Sequence, residues 1–209
     1  MNFVNRAIDV LTKPTRYFKN IQKEEGVKNA FIYYAVFSLV FIAIASIIGY
    51  FTQGLYLKFY SMIGLDSIAQ LTKNSFATRS VLLIFLMNLI VYPFMLAFSF
   101  LWAGILHVWI LIFNGKQDYS KTYQLYVYTR TPRFVFGWIP FVNFFVGIYS
   151  LILLIYGTTE VHKIKFRTSA LMYIIPYVIC LILGLLLIVM AALFINTIAT
   201  LNPTTLGVQ

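Results

Sequence analysis

Acidic residues are scarce in this sequence and cysteine is nearly absent. Its 209 residues hold six carboxylates, one cysteine and two histidines, His107 and His162, that stand far apart. HExxH, CxxC, GxSxG and a glycine-rich phosphate loop are all missing, so the usual residue sets for zinc, redox, acyl-transfer and nucleotide chemistry are lacking. A single thiol, Cys180, makes no intramolecular disulfide, and inside its hydrophobic run it reads as a small packing residue. None of the carboxylates falls within a long apolar run, which removes the carboxylate relay of membrane pumps. The sequence therefore predicts no catalytic residue, no cofactor and no metal. His107 reads as a packing histidine, because no cysteine or span carboxylate completes a ligand set around it.

Apolar residues are abundant instead. Hydrophobic types make up 61% of the chain and charged types 11%, against roughly 45–50% and about 25% in soluble domains. They are gathered into runs long enough to cross a bilayer, which predicts an all-α polytopic membrane helix bundle. The formal charge of +10 could suggest nucleic acid. The basic residues flank the apolar runs, however, which fits orientation and contact with anionic headgroups at an inner face.

Residues 1–29 form an amphipathic lead. Phe3, Val4, Ala7, Ile8 and Leu11 share a helical face, Lys13-Pro14 interrupts, and Pro14 suits the first turn of a second short helix. Such a basic pair lies most simply in the membrane interface, and alternatively offers a docking surface to a cytoplasmic partner. The spans follow at about 30–51, 80–113, 119–137, 141–157 and 169–196, with a short outer tail from 198 to 209. Ala43 to Ala45 resembles a leader-cleavage site, but the run continues apolar beyond it and the preceding segment is too long. Ala45 and Gly49 make a small-xxx-small pair suited to close helix approach. Pro93 and Pro176 are expected kinks, Asn88 and Asn143 interhelical glue, and Asp66–Lys73 a short interfacial helix.

Region 119–157 admits one span or two. With five spans the inner segments carry eleven Lys/Arg and the outer ones three; with four the split is ten to six. The positive-inside rule favours five, with the N-terminus cytoplasmic and the C-terminus outside a plasma or inner membrane. On that count Arg130 and Arg133 lie about 12 and 16 Å below the inner surface, and His107 about 9 Å. A guanidinium at such depth is costly unless paired or wet. The sequence thus predicts an inner-leaflet polar cluster of His107, Tyr126, Tyr128, Arg130, Arg133 and Glu160, in a hydrated pocket between spans two, three and four. The alternative lays residues 116–131 along the interface, with the arginines reaching phosphates.

The hinge after the second span carries a resemblance. Asn114-Gly115, a charged turn, Tyr119 in an aromatic slot, and Val127-Tyr128 four residues before Pro132 resemble the Yip-domain family (Ypt/Rab-interacting-protein-like). That family typically shows a Gly-Gly turn, a Phe and an Ala-Tyr-x-x-x-Pro stretch. The lead with Lys13-Pro14 is similar to its N-terminal region. Asn114 and Val127 depart from the pattern, and Arg130 and Arg133 are unusually charged for it. The resemblance covers roughly residues 5–190 and implies five helices, a cytoplasmic N-terminus and a short outer C-terminus. Eukaryotic members are associated with vesicle traffic and prenylated small GTPases. The short lead here is more like prokaryotic members, so GTPase binding is not carried over. Two functions follow as expectations: a non-enzymatic scaffold or adaptor contacting lipid, protein partners or a second copy of itself, or a small transporter, channel or lipid translocator using the pocket.

Overall fold

The computed structural model describes residues 2–76 and 80–201, and all of its regular structure there is helical. It gathers into two compact units, Met1–Gly49 with Val81–Tyr173, and Tyr50–Ser80 with Ile174–Gln209. In chain order the helices are α1 (Phe3–Thr12), α2 (Pro14–Asn20), a 3-10 turn (Ile21–Lys23), α3 (Lys28–Met62), α4 (Asp66–Phe76), α5 (Val81–Ile112), α6 (Tyr119–Tyr128), α7 (Thr131–Phe136), α8 (Val142–His162) and α9 (Phe166–Leu201). Among the described residues, α3, α5, α8 and the Phe166–Phe194 part of α9 are long and apolar enough to cross a membrane. Leu, Ile, Val and Phe side chains along α5 and α9 stand exposed, from Leu82 to Ile112 and from Leu171 to Phe194. That many uncovered apolar side chains would be untenable in water, so their solvent is lipid.

α5 covers Val81–Ile112, where a span was expected at about 80–113, and other stretches differ for identifiable reasons. The run expected to end at Phe51 continues helically to Met62, because no Pro or charge cluster interrupts it. Pro93 and Pro176 lie inside α5 and α9 without ending either helix. The expected third span, 119–137, is not one helix. It breaks into α6 and α7 at Thr129–Arg130, where Pro132 sits in the first turn of α7 and lacks the N–H an unbroken helix would need. The expected tail falls largely outside the described residues.

Within the first unit, the ends of the helices show what this broken segment does. The C-terminal ends of α5 and α8 meet: a Cβ added to Gly115 would lie 3.1 Å from His162 Nδ1, and Thr122 joins His107 to His162. Two successive long helices that finish at the same end need a return between them. α6 and α7 supply it, which reconciles four long helices with an approximate count of five passes.

The lead is built into this unit. α1 and α2 form as the sequence predicts, with Pro14 opening α2. Val10 and Phe18 are fully buried, and the Tyr149 hydroxyl of α8 donates to the Leu11 carbonyl at 2.6 Å. Gly157 of α8 permits this packing, since a Cβ there would come within 2.3 Å of Leu125 Cδ1 and 3.3 Å of the Phe18 ring. The apolar face predicted for α1 is divided: Ala7 is buried, whereas Val4 and Ile8 are more than half exposed.

Two other expectations are corrected. Among the described residues no atom outside its own helix backbone lies within 4 Å of the Cβ position of Gly49, so no helix approaches closely at that glycine. Cys180 is exposed on α9 rather than packed, because that stretch of α9 presents its side chains outward. Asn88 does act as glue, donating to Ser46 Oγ at 3.3 Å.

In the second unit, α3 ends in a tight reversal. Leu65 N–H reaches the Tyr60 carbonyl at 2.8 Å and Gly64 N–H the Ser61 carbonyl at 3.1 Å, with Gly64 at φ 77°. This is a Schellman closure, with glycine in the left-handed position that other residues rarely adopt. α4 then begins with Asp66 in its first turn, extending the helix predicted at Asp66–Lys73 by three residues.

Candidate functional site

The centre of the first unit is α6, a polar helix inside protein. The turn before it starts from Asn114, whose φ of 63° ends α5 while Gly115 N–H bonds the Ile110 carbonyl at 3.0 Å. Asn tolerates the left-handed region better than most residues, so it can serve where a glycine is usual. Gly115 itself leaves no room for a side chain: a Cβ would stand 2.4 Å from Ile110 Cγ2. Asp118 caps α6, its Oδ1 accepting from Lys121 N–H at 3.1 Å and the Ser120 hydroxyl at 2.9 Å. Every residue from Thr122 to Tyr128 is buried. A helix covered on all sides cannot present an apolar stripe to lipid, so its polar groups must find partners within the protein.

Most of them do so, in three groups, while the Gln124 side-chain oxygen has no partner among the described residues. The first joins the lead to α6. The Tyr128 hydroxyl donates to Glu24 Oε1 at 2.8 Å, Arg6 pairs with Glu24 Oε2 at 2.8 Å, and Arg6 also donates to the Tyr128 hydroxyl. Tyr17 packs edge-on against Tyr128 with ring centroids 5.3 Å apart. Beside this, Lys121 Nζ donates to the carbonyls of Ile21, Gln22 and Glu24, and Gln124 Nε2 to those of Glu24 and Gly26. These bonds satisfy the open carbonyls where the 3-10 turn ends.

The second cluster is His107–Thr122–His162. Thr122 Oγ1 is 2.8 Å from His107 Nδ1 and 3.1 Å from His162 Nε2, and His162 is fully buried. The third is Tyr123 with Ser99 of α5 at 3.0 Å; away from α6, hydroxyls also pair between Tyr33 and Thr131 at 2.9 Å and between Thr158 and Tyr173 at 2.8 Å.

The six residues predicted as one inner-leaflet cluster are thus distributed. Tyr128 belongs to the Arg6–Glu24 group and His107 to the threonine bridge. The Arg130 guanidinium lies over the Tyr126 ring, 4.2 Å from its centroid, a contact worth about 0.5–2 kcal/mol. Arg133 is exposed. Glu160 stands apart from both arginines, its carboxylate 4.0 Å from Lys19 Nζ and its carbonyl accepting from Gln22. Of the motif positions, Pro14 opens α2, Gly115 closes α5, Tyr119 donates to the Phe100 carbonyl at 2.8 Å, and Pro132 opens α7.

Reasoning from sequence missed Arg6, Tyr17, Glu24, Lys121, Thr122 and Gln124. One signal was available: Thr122 and Gln124 interrupt both faces of a tyrosine-rich helix, a pattern unsuited to lipid. A cleft of about 530 Å³ opens along the lead, lined by Arg6, Asp9, Lys13, Arg16, Tyr17, Asn20, Ile21, Lys23, Glu24 and Asn29. Among the described residues no group of three or more His, Cys, Asp or Glu is placed to hold a metal.

Long lipid-facing helices around a buried polar return segment define a multi-pass α-helical membrane protein. The Yip1 domain model matches residues 8–201, and the chain belongs to that family. No curated protein and no solved structure matches it.

Proposed function

We propose that this Yip1-domain protein is a non-enzymatic membrane scaffold or adaptor that works through its basic, N-terminal-helix face. One observation carries the reading: the lead is docked, so the cations it leaves free form a fixed surface. Lys13, Arg16 and Lys23 of the lead, Lys116 after α5, and Lys163 and Lys165 after α8 are all exposed. Lys121 and Gln124 bind the lead to α6, while Thr122 draws the ends of α5 and α8 together, so these segments share one end of the unit. A preformed basic surface beside exposed apolar Val4 and Ile8 is suited to anionic lipid headgroups and acidic protein surfaces. By the charge asymmetry this face is cytoplasmic, in a plasma or inner membrane. Partners are the bilayer and other proteins, or a second copy of the chain.

The competing reading is transport or lipid translocation, and reconstitution decides between them. Purified full-length protein in liposomes is expected to give neither solute flux nor lipid scrambling above empty vesicles. Activity in the wild type that is lost in Arg130→Ala would overturn the scaffold reading.

A further inference from the structure

Two residues that line the cleft along the lead carry a buried polar atom without a hydrogen-bond partner among the described residues. Tyr17 is 8% exposed, and its hydroxyl is buried beside Tyr128 without a hydrogen-bond partner of ordinary geometry among the described residues. Arg6 Nε is likewise buried and unpartnered, although the same guanidinium holds Glu24. Both residues line the cleft. Leaving a buried donor unmade is costly, and such groups commonly mark a place that a ligand fills.

The charge around them sets the sign of that ligand. Arg6, Lys13, Arg16 and Lys23 line the cleft together with Asp9 and Glu24, so four cations against two carboxylates leave two positive charges uncancelled. Glu24 is already engaged by Arg6 and Tyr128. Burial pushes the Tyr17 hydroxyl above its ordinary pKa, so it stays a neutral O–H donor. Asn29, in the first turn of the 35-residue α3, also lines the cavity and adds the positive end of a helix dipole to it. A compact dianion with several acceptor oxygens answers all of these features.

The surroundings point to lipid as its source. Val4 and Ile8, on the helix that supplies Arg6 and Asp9, are 57% and 51% exposed. An outward apolar pair on an amphipathic helix followed by a basic segment rests at the level of the headgroups. We therefore propose that the cleft binds the phosphomonoester headgroup of an anionic lipid.

This sharpens the lipid-contact part of the scaffold reading, yet it fails or stands separately, since flux in liposomes would overturn that reading without touching the cleft. The test is calorimetric titration of the full-length chain in nonionic detergent with dioctanoyl phosphatidic acid, dioctanoyl phosphatidylcholine and inorganic phosphate. Phosphatidic acid is expected to bind at least tenfold more tightly than phosphatidylcholine. Arg16→Gln and Lys23→Gln alter exposed side chains, so the fold survives, and each should weaken binding about fivefold, the usual weight of one interfacial cation. Tyr17→Phe should weaken it to a similar degree while leaving the ligand-free melting temperature unchanged or higher. Equal affinity for the two lipids, or three variants that bind like wild type, would overturn the site. Inorganic phosphate binding as tightly as phosphatidic acid would overturn the lipid assignment.

Discussion

Two tyrosines 5.3 Å apart illustrate how differently one side chain can be used. The Tyr128 hydroxyl donates to Glu24 and accepts from Arg6, closing a charged network between α6 and the lead. The Tyr17 hydroxyl is buried beside it without a hydrogen-bond partner of ordinary geometry among the described residues. The same substitution should therefore have opposite consequences. Tyr128→Phe is expected to destabilise the protein by about 1.5–3 kcal/mol, the range for hydrogen bonds to charged groups, and to lower its melting temperature in detergent. Tyr17→Phe removes an unsatisfied hydroxyl and should be neutral or stabilising. A Tyr128→Phe variant that melts like wild type would mean the network contributes nothing.

At the scale of the element, the start of α6 depends on Asp118. Its partial burial acts to raise the carboxyl pKa, but the Ser120 hydroxyl, the Lys121 N–H and the nearby positive charges outweigh this and hold it below the ordinary value. A carboxyl depressed in the folded state adds stability above its unfolded pKa, about 3.9, and loses it as pH falls through the folded value. Asp118→Ala should cost about 0.5–2 kcal/mol near neutral pH, as cap removals generally do. Asp118→Asn keeps an acceptor and should retain most of the cap. Comparing melting temperatures at pH 7 and pH 3 separates the two contributions: the wild-type advantage over Asn should shrink at the acid end. An advantage that grew on acidification would contradict the assignment.

For the molecule, the decisive question is how often the chain passes through the bilayer. α5 and α8 finish together, so the α6–α7 return should bring the chain to the opposite side before α8 begins. With Cys180 replaced by Ala, single cysteines at Lys116 and Phe144 are expected to react with an impermeant maleimide from opposite sides of sealed vesicles. Lys116 is exposed outside the helices, and Phe144 is exposed in the first turn of α8, at the end where that span leaves the bilayer. Reaction from the same side would show that α6 and α7 enter and leave without crossing.

The sequence by itself determined that the chain is a helical membrane protein with several long apolar helices. Long uncharged runs, Pro14, Pro132 and Asn114-Gly115 act locally, through hydrophobic length, missing N–H groups and left-handed turns, and none of these depends on distant partners. The Yip-domain resemblance was legible for the same reason, in the short hinge motif. Tertiary structure alone decided that α6 lies inside protein. Its tyrosines made it look like a lipid-facing span, yet Thr122 and the Gln124 amide nitrogen bond residues 15 to 100 positions away. It alone decided, too, that Tyr128 pairs with Arg6 and Glu24 rather than with Glu160 or Arg130. Hydrogen bonds and ion pairs select partners by distance in space, and a lead of two short helices carries no pattern that says which helix it will pack against. The cleft follows from that docking, because its cations come from the lead while the packing that buries Tyr17 comes from α6.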